Sequence, residues 1–523
     1  MIRTMLLCLA TAAAVLVAPE PGRSQDEKKE PKKSEKDDLK EQAKQHRKDV
    51  VSLRGLDFKK DVAVGIYSKK ELLAFLKTEF DKELPKDKAE KYQRGYALFG
   101  LIPEDMNLYD AYLDLYSSSI AGFYHPKTKE LRLIDSGDEN DAEKKMLKAA
   151  GVDMDAITLV HELTHAAQDQ NFELSTLPME DETNDDLVAA IKAVVEGDAS
   201  IVGYRYGFKR QFDMIVPMLN EQMKSGKGLP EKAAALPAYL KLTLTFPYGY
   251  GSDFILKYMK STKGDLKDLS KLFKDLPLST EQIMHPEKYW DPDQRDNPIL
   301  VTLPDLAKNF GGGWTESFNN VHGEFATWVL LKELFNEDLT RDGFKREIPT
   351  SATLKRAAAG WGGDRYVVLE KSEDGKTRTM YVWYSTWDTE KDAKEFLDTY
   401  GLAVERKYDL EGTEGARSDK TSFKTPKGHV LLERRGKDVL ILDAAPESFL
   451  EKAEPIWKGV TKSEIKQVER LKKFVCEKDG VKAAFSGACP KCGAELKFKD
   501  DDEKDAPKAD NKKKKRDYAV EYR

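Results

Sequence analysis

Histidine and cysteine are scarce in this chain: seven histidines and four cysteines in 523 residues. Cys8 lies in a leading apolar run, and Cys476, Cys489 and Cys492 stand together near the other end, so any cysteine chemistry of the body is confined there. Beyond the leading run, no segment is long and apolar enough to span a bilayer, which excludes stable membrane insertion. A basic excess is also missing. The net charge of −6 argues against a dedicated nucleic-acid binder. No internal repeat is present, which excludes solenoid and propeller architectures.

The two ends set the expected compartment. Arg3 precedes the apolar run Met5–Ala18, and Gly22-Arg23-Ser24 places small residues at the −3 and −1 positions of a cleavage site. Residues 1–24 therefore read as a secretory signal, with the rest exported to the periplasm or beyond. Residues 25–49 are a Lys/Glu/Asp-rich stretch expected to be a disordered linker or a frayed helix. Residues 500–523 form a second charged tail, with the basic run Lys512–Arg516 as a possible contact to anionic envelope polymers.

Two of the few histidines stand in His161-Glu162-Leu163-Thr164-His165. On a helix, residues four apart share a face, so both imidazoles can bind one metal ion. Glu162 then lies beside that metal, where it can take a proton from water. Asp153 or Asp155 can cap the helix, and Ile157, Val160, Leu163 and Ala167 give it an apolar stripe. A second helix, capped by Thr183 or Asn184, carries Glu196 on a stripe with Ala189, Ala193 and Ser200. Small residues there are expected to let it lie close against the first helix while one carboxylate reaches out. Three protein ligands and one open position distinguish a catalytic zinc from a structural one. Asp169 and Asp198 are candidates to hold a ligand histidine by its other ring nitrogen.

These residues resemble the glutamate zincins, the thermolysin-like metallopeptidases with HExxH and a downstream glutamate. The resemblance implies His161, His165 and Glu196 as ligands of one catalytic Zn2+, and Glu162 as general base and proton shuttle. Thermolysin has an aspartate four residues after its glutamate ligand; here that position is Ser200. The segments around Gly122-Phe123-Tyr124, His161–Gln170, Glu196–Ala199, Phe246-Pro247-Tyr248, Ser279–Pro286 and Gly360–Arg365 resemble a separate branch of exported bacterial zincin-like proteins, over roughly residues 50–445. The implied partner is a peptide or protein substrate.

Ile120–Ile134 reads as a hairpin, two β-prone runs around a polar turn. In zincins an edge strand beside the metal helix pairs with extended substrate, and Gly122, Phe123 and Tyr124 are the candidates. His125, in the turn, is a further residue within reach of the site. An oxyanion donor is also needed. His285 is the first candidate, with Tyr248 or Tyr250 as alternatives.

The fold class expected is α+β. A largely helical zincin-like part spans 50–345, with a small sheet beside the metal helix. A smaller α+β domain spans 355–465, in which Tyr366–Leu369 and Thr379–Tyr384 alternate like strands and Val430–Leu442 reads as a hairpin around Gly436. Gly360–Arg365 at its entrance is either a tight turn or a binding rim. A cysteine knuckle spans 470–499. It resembles small heavy-metal-binding, zinc-ribbon-like modules, with Asp479 and Ala494 where those carry histidine and methionine. Cys476, Cys489 and Cys492 would hold a second, structural metal or form a disulfide. Two other function classes stay open: a catalytically inactive envelope-binding scaffold, and a metal-handling protein using these cysteines.

Overall fold

The computed structural model describes residues 8–9, 33–135, 142–149, 151–227, 229–336, 348–410, 418–465, 474–478, 480, 482–483, 494 and 496–498. The fold is α+β. Cys489, Cys492, the tail 500–523 and most of the leader lie outside these residues.

A bundle of long helices forms the first part. Met154–Phe172, the helix of the HExxH motif, starts at Asp153, whose carboxylate accepts from Ala156 N. Asp185–Phe208, the helix of Glu196, starts at Asn184, which accepts from Leu187 N. Almost all of that helix is buried, so it is a central rod and not an amphipathic surface helix. Ala238–Thr262 runs beside it and carries Tyr248 and Tyr250.

Glycine sets how closely these three rods approach. A Cβ on Gly197 would lie 2.5 Å from the carbonyl of Gly251, and one on Gly251 would lie 2.2 Å from Ala193 O. Gly203 and Gly207 face Ile157 of the HExxH helix in the same way. The small stripe through Ala193 therefore serves the contact with Ala238–Thr262. The approach to the HExxH helix is made by glycines one to two turns further on.

A small sheet lies beside the HExxH helix. Ile120–His125 and Glu130–Asp135 pair antiparallel, as the hairpin reading expects, and Ala63–Ser68 adds in parallel to the second of them. On its other side, Ile120–His125 pairs antiparallel with the chain's own Cys8–Leu9. The strand expected to receive substrate is therefore flanked on both sides.

The second part is a six-stranded antiparallel sheet covered by helix Glu390–Tyr408. It begins earlier than the expected boundary near 355. Its edge strand is Thr315–Asn320, which pairs with Trp361–Glu373. The expected hairpin is Gly428–Arg435 with Asp438–Ala445, turning at Gly436 with φ +61°. Gly360–Arg365 leads into strand Trp361–Glu373 and is structural. Asp364 there accepts from His322 N, Gly323 N and the indoles of Trp361 and Trp383. Phe99 stacks on Tyr381 at 3.9 Å between ring centroids, so the two parts share one core.

Residues 33–49 take the helical of the two alternatives and are not a disordered linker. Lys33–Arg54 is one helix, packed on the HExxH helix. At 474–498, three two-residue strands form a minimal sheet with Cys476 buried at its centre. Among the described residues no helix is long and apolar enough to cross a membrane.

Candidate metal centre

His161, Glu162 and His165 are buried, with Glu162 wholly so, and the helix spacing brings the two imidazoles together. Their Nε2 atoms are 2.9 Å apart. Glu196 Oε2 lies 3.2 Å from His165 Nε2 and 3.3 Å from His161 Nε2. These three atoms form a nearly equilateral triangle. Ligands on one tetrahedral zinc, each roughly 2.0–2.1 Å from it, stand about 3.3 Å from one another. The donor set and its spacing thus fit a zinc ion with one position open.

The charges agree. Burial would raise the Glu196 carboxyl, but the two histidines hold it down to about 2. Burial would lower His165, but Glu196 beside it pushes it up to about 9. Burial lowers His161. Three donors thus gather around a single positive charge, which is the place a cation takes.

His165 is held from behind by a residue the sequence reading missed. Its Nδ1 lies 2.9 Å from Gln168 Oε1. The Gln168 amide nitrogen donates to Val195 O at 3.1 Å and to Asp198 Oδ2 at 2.9 Å. Both of those are acceptors only, so the amide cannot be turned round. Its oxygen must face His165. A cation held by the three donors would displace the other ring proton, leaving Nδ1–H on Gln168 and the Nε2 lone pair aimed at the centre. Asp198 therefore acts through Gln168 and does not touch the histidine. Asp169, the other candidate, holds no histidine either. It accepts from Tyr124 Oη and Lys129 Nζ, each at 2.7 Å, and from Leu174 N, clamping the hairpin to the HExxH helix.

Of the proposed donors, Tyr248 has its ring beside the centre, 6.3 Å from that of His161 with 27° between the planes. His285 is engaged elsewhere: its Nε2 is 2.8 Å from Glu324 Oε1, and that carboxylate raises its pKa. Tyr250 stacks on Phe246 and meets Phe325 edge-on within the core. His125 is buried in its turn, where Nδ1 accepts from Thr128 N. His322 is buried against Tyr366, and burial pushes it down to about 3. A second acidic group, Glu281, Asp296 and Asp388, surrounds the ammonium of Lys288 at 2.6–2.9 Å, so a lysine already sits between its carboxylates.

A family described as a domain of unknown function (DUF8575) matches residues 312–454. That span covers the six-stranded sheet and its helix and leaves out His161, His165 and Glu196. No curated protein and no solved structure matches the chain.

Proposed function

We propose that this chain is an exported zinc-dependent metallopeptidase of the zincin type. The observation that carries the reading is the triangle of His161 Nε2, His165 Nε2 and Glu196 Oε2, with edges of 2.9–3.3 Å, beside a wholly buried Glu162. When bound there, zinc supplies a Lewis acid that acidifies water and polarises a carbonyl.

The chain's own groups do the rest. Glu162, one residue along from His161, accepts a proton from the attacking water and hands it to the leaving amine. Tyr248 is the donor to the oxygen on which charge develops, a role supported by its ring lying beside that of His161. Strand Ile120–His125, fastened by Tyr124 to Asp169, is the ladder along which an extended peptide aligns. That the chain's own Cys8–Leu9 pairs there supports the strand as one that takes an extended antiparallel segment. The residues beyond the leader carry out this chemistry outside the cytoplasm.

The test compares the chain from Gln25 onward with Glu162→Gln and a chelator-treated sample. Zinc content and cleavage of an unstructured protein are the readouts. One zinc per chain at His161/His165, with cleavage lost in both controls, is expected. Zinc without cleavage of proteins or cell-wall peptides would favour the inactive scaffold. No metal at His161 and His165 would end the reading.

A further inference from the structure

The most deeply buried charge pair among the described residues lies behind the metal centre, and its cationic half comes from the helix Lys33–Arg54. Arg54 is the last residue of Lys33–Arg54, and Gly55, at φ +72°, ends that helix immediately after it. The Arg54 side chain and that of Asp198 are both 0% exposed. Arg54 Nε lies 2.8 and 3.0 Å from the two oxygens of Asp198, and Nη1 donates to Ser270 Oγ at 3.2 Å. Its Nη2 is buried and meets no acceptor among the described residues. A buried pair with one donor left over is a poor device for stability alone, because desolvation offsets most of its attraction.

The pair continues without a break to the centre. Asp198 accepts from Gln168, and Gln168 accepts from His165. Arg54 can only donate and Asp198 can only accept, so the polarity of every link is fixed from the guanidinium outward. The same network ties down both ligand-bearing helices. Gln168 belongs to the one with His161 and His165, and Asp198 and Val195 flank Glu196 on the other.

We propose that Arg54 is a positioning residue of the metal centre. Through Asp198 and Gln168 it fixes the tautomer and orientation of His165, and it makes helix Lys33–Arg54 a working part of the site. This rests on the metal reading given above. Groups that hold a ligand directly, as Gln168 holds His165, alter metal affinity by about 10- to 100-fold when removed, and Arg54 acts on that same link through Asp198.

The experiment uses the chain from Gln25 onward as wild type, Arg54→Met, Arg54→Lys and Asp198→Asn. Zinc affinity is measured by chelator competition, the cobalt-substituted absorption spectrum is recorded, and urea unfolding of the metal-free forms is followed. Arg54→Met and Asp198→Asn are expected to weaken zinc by about 10-fold or more and to shift the cobalt bands. Arg54→Lys should fall between, since one ammonium keeps the charge but not the fork. Equal affinity and unchanged bands in folded Arg54→Met and Asp198→Asn, even with lower urea midpoints, would overturn the proposal and leave the metal reading standing. Should those variants not fold, hydrogen exchange of the wild-type chain decides. Coupling is reciprocal, so zinc must slow exchange at residues 50–54 more than at 438–442. Equal slowing would overturn the proposal. A wild-type chain that binds no zinc would overturn the metal reading and this inference together.

Discussion

Gly197→Ala is the sharpest test of how the centre is built, because two opposed effects predict opposite signs. In an unobstructed helix interior, alanine is favoured over glycine by about 1 kcal/mol. Here the added methyl would stand 2.5 Å from both the carbonyl carbon and oxygen of Gly251. Carbon contacts are comfortable near 3.5–4.0 Å, so the two helices must part by about 1 Å. The struck atoms are backbone and cannot rotate away. Overpacking of this kind costs about 1–3 kcal/mol, and a rigid obstacle puts the cost near the upper end. A net loss of about 2 kcal/mol follows, read as a lower urea midpoint at unchanged slope.

The effect should also reach the metal, because Glu196 is the adjacent residue. Zinc affinity, measured by chelator competition on the folded variant, should fall together with stability. Gly251→Ala meets Ala193 O at 2.2 Å and should behave alike. The double variant should cost less than the two added, since helices already parted have room for both methyls. A Gly197→Ala chain as stable as wild type, or more stable, would refute the close crossing and this account of where Glu196 stands.

Tyr248→Phe should lower kcat by about 100-fold with zinc content intact, and equal turnover would remove Tyr248 as oxyanion donor. His285→Ala should keep most turnover and instead lose about 1–3 kcal/mol of stability, because it strands the buried Glu324; a collapse in kcat at unchanged stability would restore His285 to the chemistry. Asp169→Ala should raise KM for extended peptides while zinc stays bound, since it releases Tyr124 and Lys129 of the hairpin; an unchanged KM would detach that strand from substrate. Burial pushes the carboxyl of Asp186 up to about 8 from 3.8. The folded chain then holds a proton that the unfolded chain has released, so this group makes stability fall as pH rises from about 4 to 8. Asp186→Asn should flatten that fall in urea unfolding, and an unchanged pH profile would contradict it.

What could be read from the sequence was local. His161, Glu162 and His165 follow from an i,i+4 spacing on one helix, and Glu196 from a helical stripe of small residues that carries one carboxylate. Alternation found the strands around 366–369 and 379–384, and the turn at Gly436. Thr315–Asn320 escaped because Thr-Glu-Ser-Phe-Asn-Asn does not alternate; its membership in the sheet comes from pairing with Trp361–Glu373. Residues 33–49 are ambiguous in sequence for a related reason. Their charge hides the fact that the helix they build is anchored at its far end, through buried Val50 and Arg54.

The residues behind the centre could not be found this way, because their roles are relations between distant segments. Gln168 follows His165 by three and looks like one more polar helix residue. What makes it decisive is that Asp198, 30 residues later, and Arg54, 144 residues before Asp198, meet it in one buried line. A buried imidazole can turn or change tautomer unless something fixes it, and a lone glutamine fixes nothing, because its own amide can flip. The flip is blocked only when the amide nitrogen faces groups that cannot donate. Asp198 and Val195 O meet that condition, and the Arg54 guanidinium lies against the Asp198 carboxylate and holds it in place. The cation at the end of helix Lys33–Arg54 is therefore what keeps Nε2 of His165, on the HExxH helix, aimed at the centre.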